Sequence, residues 1–306
     1  MIFFEKCDVS INGTGILAET ASISSNAQQT PVTVLGFRSP QGFTTAGNFQ
    51  NSVELNYFFE VYKEPSYKIL NQTKNNLLNP PPVTIVIGGI SGTYYLENYR
   101  VQVSEHQPVM VTASFVGFSM LSGSLTDSPD RSIYTTGFHT GIANYYSSFV
   151  SLKYVSPYDV SSVFYYLYEP SSFSSCSYAF KNSIQPIYTI GSFYPIEVKQ
   201  MSAEETIEII HDNFSKLTPI GLTPLSGLGM PPTYEFKNGT SVPEVVLRLN
   251  TANTYLISNL LIWEFASFAG LDLPYFTISS GVVQSTRLEA SAGNVMRTNT
   301  MISRFY

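Results

Sequence analysis

Apolar and polar residues alternate with a period of two along several stretches of this chain, the pattern typical of half-buried β-strands. The clearest alternation covers residues 53–59 and 206–211. Further strands are predicted at 16–24, 83–88, 93–104 and 108–118. The last two are predicted to form a hairpin through residues 105–107. The pattern therefore predicts a chain built mainly of antiparallel strands.

Two segments have a helical pattern instead. Residues 65–79 have apolar side chains at positions 67, 69, 70, 77 and 78, and the three prolines at 80–82 stop the segment. Residues 253–268 are apolar on nearly all sides, which predicts a buried helix as the counterpart of the first. Trp263, the one tryptophan, lies in this second segment, where core packing is its expected use.

A ten-residue phrase occurs twice, first from Pro31 to Pro40 and again 155 positions later from Pro186 to Pro195. The shared residues are Pro31, Gly36 and Pro40 in the first copy and Pro186, Gly191 and Pro195 in the second. Proline fits the first residue of a strand, and glycine after four strand-forming residues favours a bulge or bend. We predict that each phrase is one bent strand, joined in the first copy to strand 16–24 by a polar turn at 25–29. The repeat predicts a duplicated domain.

Following the repeat along the chain gives the domain limits. We expect a first domain at 1–121, a connection at 122–156 with room for one added strand, and a second domain at 157–306. The middle strands keep an offset near 155, whereas the closing segments 91–115 and 280–305 are offset by 187 to 189. Roughly 30 residues are thus added to the second copy, and we expect them within 214–250 as a docking loop, since long irregular loops are usually functional.

Composition supports a mainly β chain that is covered by other subunits. Charged residues make up 12% of the 306 residues, against roughly 25% in ordinary soluble proteins. A surface so poor in charge suits a chain whose faces contact neighbours. The formal net charge is −6 and no run of Lys or Arg occurs, which disfavours tight nucleic-acid binding.

Cysteine usage and the first residues indicate the compartment. Cys7 and Cys176 do not correspond at the repeat offset, so a disulfide is disfavoured. The first residues lack the basic flank and apolar core of a signal peptide, and no stretch of about 18 apolar residues occurs. We expect assembly in a cytoplasm and no membrane partner, and we therefore treat the four Asn-x-Ser/Thr sequons as chance occurrences.

Candidate chemistry is sparse. His106, His139 and His211 are far apart in sequence, which disfavours zinc. The acidic group Glu204, Glu205 and Glu208 lies at a strand entry, where we expect it to be solvated, although a single sequence leaves paired carboxylates across a cleft possible.

Glycines and acidic residues elsewhere also lack a catalytic pattern. Residues 88–92 lack the lysine and strand-to-helix context of a phosphate loop, so a tight turn is expected there, and Gly13-Thr-Gly15 is no stronger. Asp8, Asn12 and Glu19 lack the spacing of a calcium loop. We predict no catalytic, cofactor-binding or metal site, and a structural protein, not an enzyme.

The order of a polar segment, a proline, four strand residues, a glycine and an alternating strand resembles the tail tube proteins of long-tailed bacteriophages. Residues 85–92, with a strand pair ending at 108–115, look like the closing hairpin of that family. The resemblance covers most of 16–118, is good for 171–211 and is weak beyond.

The resemblance implies an all-β dominated fold of two tandem tail-tube-like β-sandwich or half-barrel domains, each with one short packed helix. It further implies a virion tail protein whose stacked rings conduct DNA without specific binding, as a homotrimer with a pseudo-sixfold ring or as a homohexamer. Sheath or baseplate proteins are further expected partners. The alternatives are a tail adaptor, baseplate hub or other virion component, and, from another class, a β-sandwich carbohydrate-binding or adhesin module.

Overall fold

The computed structural model describes residues 7–61, 63–76, 78–126, 141–143, 148–155, 163–168, 173–211, 238–239, 241–249, 275–289 and 297–306. In this part of the chain the first half contains β1 (Val9–Ile11), β2 (Thr14–Gly15), β3 (Ala18–Pro31), β4 (Phe43–Phe58), α1 (Pro65–Asn75), β5 (Val83–Ile87), β6 (Ile90–Ser104), β7 (Met110–Gly117) and β8 (Ser122–Gly123). The second half contains β9 (Phe149–Val155), β10 (Val163–Tyr168), β11 (Phe173–Ile187), β12 (Glu197–His211), β13 (Ser241–Arg248), β14 (Tyr275–Glu289) and β15 (Arg297–Phe305). The expected all-β dominated fold is confirmed.

All pairs among the described strands are antiparallel, and the two halves have the same strand order. The first half has the order β3-β4-β7-β6-β5-β1-β2, and the second has β11-β12-β15-β14-β13-β9-β10. A pairing between β6 and β11 joins the two runs into one sheet. The described strands of each half therefore share one seven-strand order, the short β8 pairs separately with β6, and one strand pair connects the halves.

Irregularities in the pairing also recur at matching positions. The β3–β4 register shifts between Ala18 and Thr20, and the β11–β12 register shifts between Phe173 and Ser175, 155 positions later. An extra residue in a strand bends it and increases its twist, so bulges at matching positions give β3 and β11 matching bends.

The closing strands match in the same way at a larger offset. The β6–β7 register shifts between Leu96 and Asn98, and the β14–β15 register shifts between Val283 and Ser285, 187 positions later. The offset grows from 155 to 187 between β11 and β14, so the extra residues of the second half lie between these strands.

The repeated phrase is not a strand, and this prediction was wrong. Pro31 ends β3 and Pro186 lies one residue before the end of β11, and each phrase continues as the connection of a long hairpin. Gly36 and Gly191 adopt φ of +91° and +88°, in the left-handed region that glycine tolerates. The predicted turn at 25–29 lies inside the continuous strand β3. Proline ends the ladder because it has no N–H, and positive φ turns the chain instead of bending a strand.

The helix and the tight turn were predicted correctly. Helix α1 begins at Pro65, with the Glu64 side chain accepting a hydrogen bond from the Ser66 N–H, and ends at Asn75, a few residues before the predicted end. It buries Ile69 and Leu70 against the sheet. Residues 88 and 89 form the two-residue turn between β5 and β6, both with positive φ.

One core serves both halves of the chain. Phe276 on β14 stacks on the ring of Tyr178 at 4.6 Å and meets the edge of Tyr67 on α1 at 5.4 Å. Phe59 and Tyr99, from the first half, also contact the Phe276 ring. A strand of the second half therefore packs against the helix and strands of the first. The predicted helix at 253–268, Trp263, His139 and residues 214–237 of the expected loop lie outside the described residues. The described end of that expected loop is not irregular, because Ser241–Arg248 forms strand β13.

Candidate functional site: open strand edges and hairpin tips

The junction between the halves is a strand pair. The second half of β6 pairs with β11 over seven residue pairs, from Asn98 opposite Lys181 to Ser104 opposite Ser175. The first half of β6 uses the same side to pair with β5, between Ile90 and Tyr94. We name the β6–β11 pairing the inner junction. One side of β6 thus pairs with β5 along its first half and with β11 along its second half.

An ion pair crosses the inner junction. Arg100 Nη2 on β6 lies 3.9 Å from Glu208 Oε2 on β12, on the far side of β11. The residue of β11 opposite Arg100 is Ala179, and its small side chain leaves room for the arginine to reach across. Glu208 also accepts a hydrogen bond from Asn299 Nδ2 at 2.6 Å. The junction thus combines main-chain pairing with one charge pair.

The strand β3 is the counterpart of β11, but its outer side has no strand partner among the described residues. In the described ranges β4 is its one strand partner. Tyr178 and Phe180 on β11 are buried, whereas their counterparts Ile23 and Ser25 on β3 are half-buried and exposed. An unpaired edge presents free N–H and C=O groups and is a template for another strand.

The second half of β14 is the counterpart of the β6 segment that forms the inner junction. β14 pairs with β13 between Tyr275 and Val282, and the Gly239 N–H just before β13 donates to the Val283 carbonyl at 2.8 Å. Beyond that point, in the part of the chain that the structure describes, β15 is the one strand paired with β14, so residues 284–289 have one side without a described strand. The chain therefore has a counterpart of each strand of the inner junction: β3 for β11, and the second half of β14 for the second half of β6. In the described residues these two counterparts lie on different edges of the sheet and do not pair with each other.

The two hairpin tips expose apolar side chains. At the apex, Leu35 and Ile190 stand at matching positions and are fully exposed, at 100% and 108%. The remaining exposed apolar residues at the tips are Val32, Val34 and Phe37 in the first tip and Ile187, Phe193, Tyr194 and Ile196 in the second. Apolar residues clustered in this way on a surface mark a contact site.

The predicted repeat residues all lie at these tips. The Phe37 N–H donates to the Val34 carbonyl at 3.2 Å, and the Ser192 N–H donates to the Thr189 carbonyl at 3.1 Å, 155 positions later. Pro40 and Pro195 follow these turns, before β4 and β12 begin. The two phrases thus form the same turn at the ends of two hairpins.

A buried carboxyl group lies beneath the first half of the sheet. Glu64 Oε1 accepts hydrogen bonds from the Tyr57 hydroxyl at 2.6 Å and from the Ser66 N–H at 3.0 Å. Burial raises the pKa of Glu64 to about 7, and these hydrogen bonds offset part of that rise. The group supports the N-terminus of α1 and lies away from the exposed edges.

Glu205 is the second buried carboxyl group, and the expectation that it is solvated was wrong. Its side chain is fully buried and forms an ion pair with Lys74 of α1. The hydroxyls of Tyr178, at 2.6 Å, and of Tyr306 donate to it. Glu205 is in phase with Ala203 and Ile207, both buried on β12, so the alternation of the strand was the signal that could have found it.

Other candidate residues remain apart. His106 has φ of +60° in the turn between β6 and β7, with an exposed side chain beside Glu105. Cys7 is exposed and Cys176 is buried, and burial raises the pKa of the Cys176 thiol. In the described ranges, no three His, Cys, Asp or Glu side chains are grouped to hold a metal ion. Of the helices described, none has the length and apolar character to cross a membrane.

No family model matches the chain, and no curated protein does. Among solved structures, a chain of the virion of a native gene transfer agent (GTA) particle aligns with 40% of this chain and 99% of its own length, at 15% identity and a TM-score of 0.33. A chain from the tail of an empty GTA particle with C6 symmetry aligns with 39% of this chain and 93% of its own, at 15% identity and a TM-score of 0.31.

The SPP1 Dit (gp 19.1) protein, described as a hub adsorption apparatus in phages that infect Gram-positive hosts, is similar over greater length. It aligns with 98% of this chain and 99% of its own, at 8% identity and a TM-score of 0.23. At these scores none of the three likenesses carries a functional argument. The functional conclusion therefore rests on the open edges and the hairpin tips.

Proposed function

We propose that this chain is a structural subunit that joins copies of itself edge to edge into a closed ring, as a component of a phage tail tube or of a tube-like hub. One observation carries the proposal. The chain repeats a seven-strand pattern, fills the junction between the repeats internally, and leaves the two components of the same junction open at β3 and at the second half of β14.

Head-to-tail contacts between unlike surfaces give a ring when the rotation closes and a filament when it does not. Here the inner junction relates two similar halves within one chain. If the outer junction repeats the inner rotation, each chain supplies two of the positions around the ring. With a rotation of about 60° per junction, three chains would close a ring of six similar units, and we therefore propose the homotrimer over the homohexamer.

The repeat also suggests limits for the two proposed domains. β9 and β10 have the places in the second run that β1 and β2 have in the first, so we place the start of the second repeat at β9 and not at residue 157. β5 and β6 are joined by residues 88–89, whereas β13 and β14 are separated by residues 249–274. This difference supports a location at 249–274, instead of the expected 214–250, for most of the additional residues.

The exposed apolar tips support stacking as the second assembly contact. Two tips per chain, each with a fully exposed apolar residue at the apex, would give a ring several apolar contacts on one face. Burying them against a neighbouring ring, or against a sheath or baseplate protein, removes apolar area from water. The net charge of −6 per chain suits a lumen along which DNA passes without binding.

The proposal is tested by the mass and shape of the purified protein. Size-exclusion chromatography with light scattering should give three times the 33.9 kDa chain mass or stacked multiples of it, and negative-stain microscopy should show six-lobed discs or tubes. A monomer at every concentration would overturn the proposal. Glycan binding by such a monomer would favour the carbohydrate-binding alternative.

A further inference from the structure

We infer that the ring closes by a specific strand pairing: β3 of one copy adds to the second half of β14 of the next copy, in the register of the inner junction. This inference rests on the proposed ring and names the surface that forms it. The occupant of the open β14 edge is a second copy of this chain. The inner junction, already present in every chain, is the template.

The template gives the residue pairs directly. In the inner junction, Lys181, Phe180 and Ala179 lie opposite Asn98, Tyr99 and Arg100. Residues of β3 precede their β11 counterparts by 155 positions, and residues of β14 follow their β6 counterparts by 187. The expected pairs between copies are therefore Asn26 with Ser285, Ser25 with Thr286 and Ser24 with Arg287.

The bulges restrict the pairing to this register. β3 and β11 share the position of a bulge, as do β6 and β14, so each open edge has the local bend of the edge that already pairs. A slip of one residue would turn every side chain to the other face of the sheet. Ile23 is the counterpart of Tyr178, which is buried in the inner junction. After such a slip, half-buried Ile23 would face the opposite side of the sheet from the one that Tyr178 faces.

Charge complementarity supports the same register. The inner junction is crossed by the ion pair of Arg100 with Glu208, and Glu208 lies opposite Ser177 on the neighbouring strand. The counterpart of Glu208 is Glu54, which lies opposite Ser22 on β3. The counterpart of Arg100 is Arg287. The chain thus has a glutamate and an arginine at the two positions that match Glu208 and Arg100. Glu54 lies on β4, next to the open edge strand β3, and Arg287 lies on the open part of β14.

The side chains between these charges are small. Arg100 reaches Glu208 across β11 beside Ala179 and Ser177. The corresponding positions on β3 are Ser24 and Ser22, both exposed, as are Glu54 and Arg287. An arginine of the neighbouring copy can therefore cross β3 to Glu54 as Arg100 crosses β11, without a bulky side chain in its path.

Disulfide cross-linking between copies tests the register. Cys7, which is exposed, is first replaced by serine, and buried Cys176 is kept. The in-register designs are Ser25→Cys with Thr286→Cys and Asn26→Cys with Ser285→Cys. Hydrogen-bonded and non-hydrogen-bonded pairs alternate along antiparallel strands, so the two designs cover both geometries. The matched control is Ser25→Cys with Ser285→Cys, whose two positions face opposite sides of the sheet.

The expected result is a ladder of covalent multimers on a non-reducing gel for at least one in-register design, ending at the ring size, with at least tenfold less product for the control. An equal mixture of the Ser25→Cys and Thr286→Cys single variants should give covalent dimers and no larger species. Rings that form without in-register cross-links would overturn this inference and leave the proposed function standing. Absence of rings from the Cys7→Ser parent and from the unmodified chain would overturn both.

Discussion

The Lys74 ammonium on α1 forms an ion pair with the Glu205 carboxylate on β12, so a helix of the first half neutralises a buried charge of the second half. Glu205 is fully buried and Lys74 is 19% exposed. Two tyrosine hydroxyls complete the hydrogen bonding of the carboxylate, one from β11 and one from Tyr306 at the end of the described chain. The contact ties α1 to the inner junction, which is the template for the ring.

Replacing Lys74 with methionine should destabilise the chain by about 3–5 kcal/mol, because a buried carboxylate would lose its cation. The matched control is Lys68→Met, which removes an exposed lysine from the same helix. Urea unfolding of both variants measures the difference. Equal stability of the two variants would contradict the assigned role of the ion pair, and adding Glu205→Gln to Lys74→Met should recover much of the loss.

Glu64 should make the stability of the chain depend on pH. Burial raises its pKa in the folded state from the ordinary value near 4.5 to about 7. Between these two pH values the folded state holds a proton that the unfolded state releases. The stabilisation from this proton is fully present below pH 4.5, and the free energy of unfolding falls by about 3 kcal/mol as the pH rises through about 7. Urea unfolding at pH 4.5 and pH 8 measures it.

Glu64→Gln supplies the control for that measurement, since glutamine keeps an acceptor for the Ser66 N–H and cannot ionise. The unfolding free energy of this variant relative to the unmodified chain should increase by about 3 kcal/mol from pH 4.5 to pH 8. A difference that stays constant with pH would show that Glu64 titrates at its ordinary value.

The sequence predicted most strands of the first half, the helix and the β5–β6 turn because each depends on local periodicity and on proline or glycine. It did not predict β13, which lies where a loop was expected. Strand β12 shows where such reasoning fails. Glu205 was expected to be solvated because it was placed at a strand entry. It lies within β12, and its position in the alternation with Ile207 places its side chain inside. The open edges of β3 and β14 could not be predicted, because which strand side remains unpaired depends on long-range pairing.

Replacing Leu35 and Ile190 together with aspartate should stop rings from stacking and leave single rings intact. Both residues are fully exposed at the hairpin tips, so the change costs the isolated chain little, whereas burying a carboxylate in an apolar contact is strongly unfavourable. Sedimentation and microscopy measure tube length and ring number. Leu78→Asp, at an exposed apolar residue outside the tips, is the control, and tubes of ordinary length from the double variant would exclude the tips as the stacking contact.

Valine at Gly36 or Gly191 should alter the tips without unfolding the sheet. Both glycines have positive φ, and a Cβ atom there would meet nothing within 4 Å, so the cost is conformational, about 1–2 kcal/mol. Gly15→Val is the matched control, since its Cβ would also meet open space without positive φ. We expect shortened tubes for Gly36→Val and Gly191→Val but not for Gly15→Val. Equal effects of all three variants on stability and on stacking would show that the shape of the tip turns does not control stacking.

Reversing the charge of either Glu54 or Arg287 should weaken ring closure, and reversing both should restore it. Glu54→Arg places two arginines at the proposed junction, and Arg287→Glu places two carboxylates there. An exposed ion pair contributes about 0.2–1 kcal/mol, and like charges cost a similar amount, so each single reversal should raise the ring dissociation constant several-fold per junction. Analytical ultracentrifugation at low and high salt measures this, with the difference smaller at high salt because screening weakens both effects. Recovery in the double reversal would identify the two residues as partners across copies; equal weakening in the single and double variants would show that they do not meet.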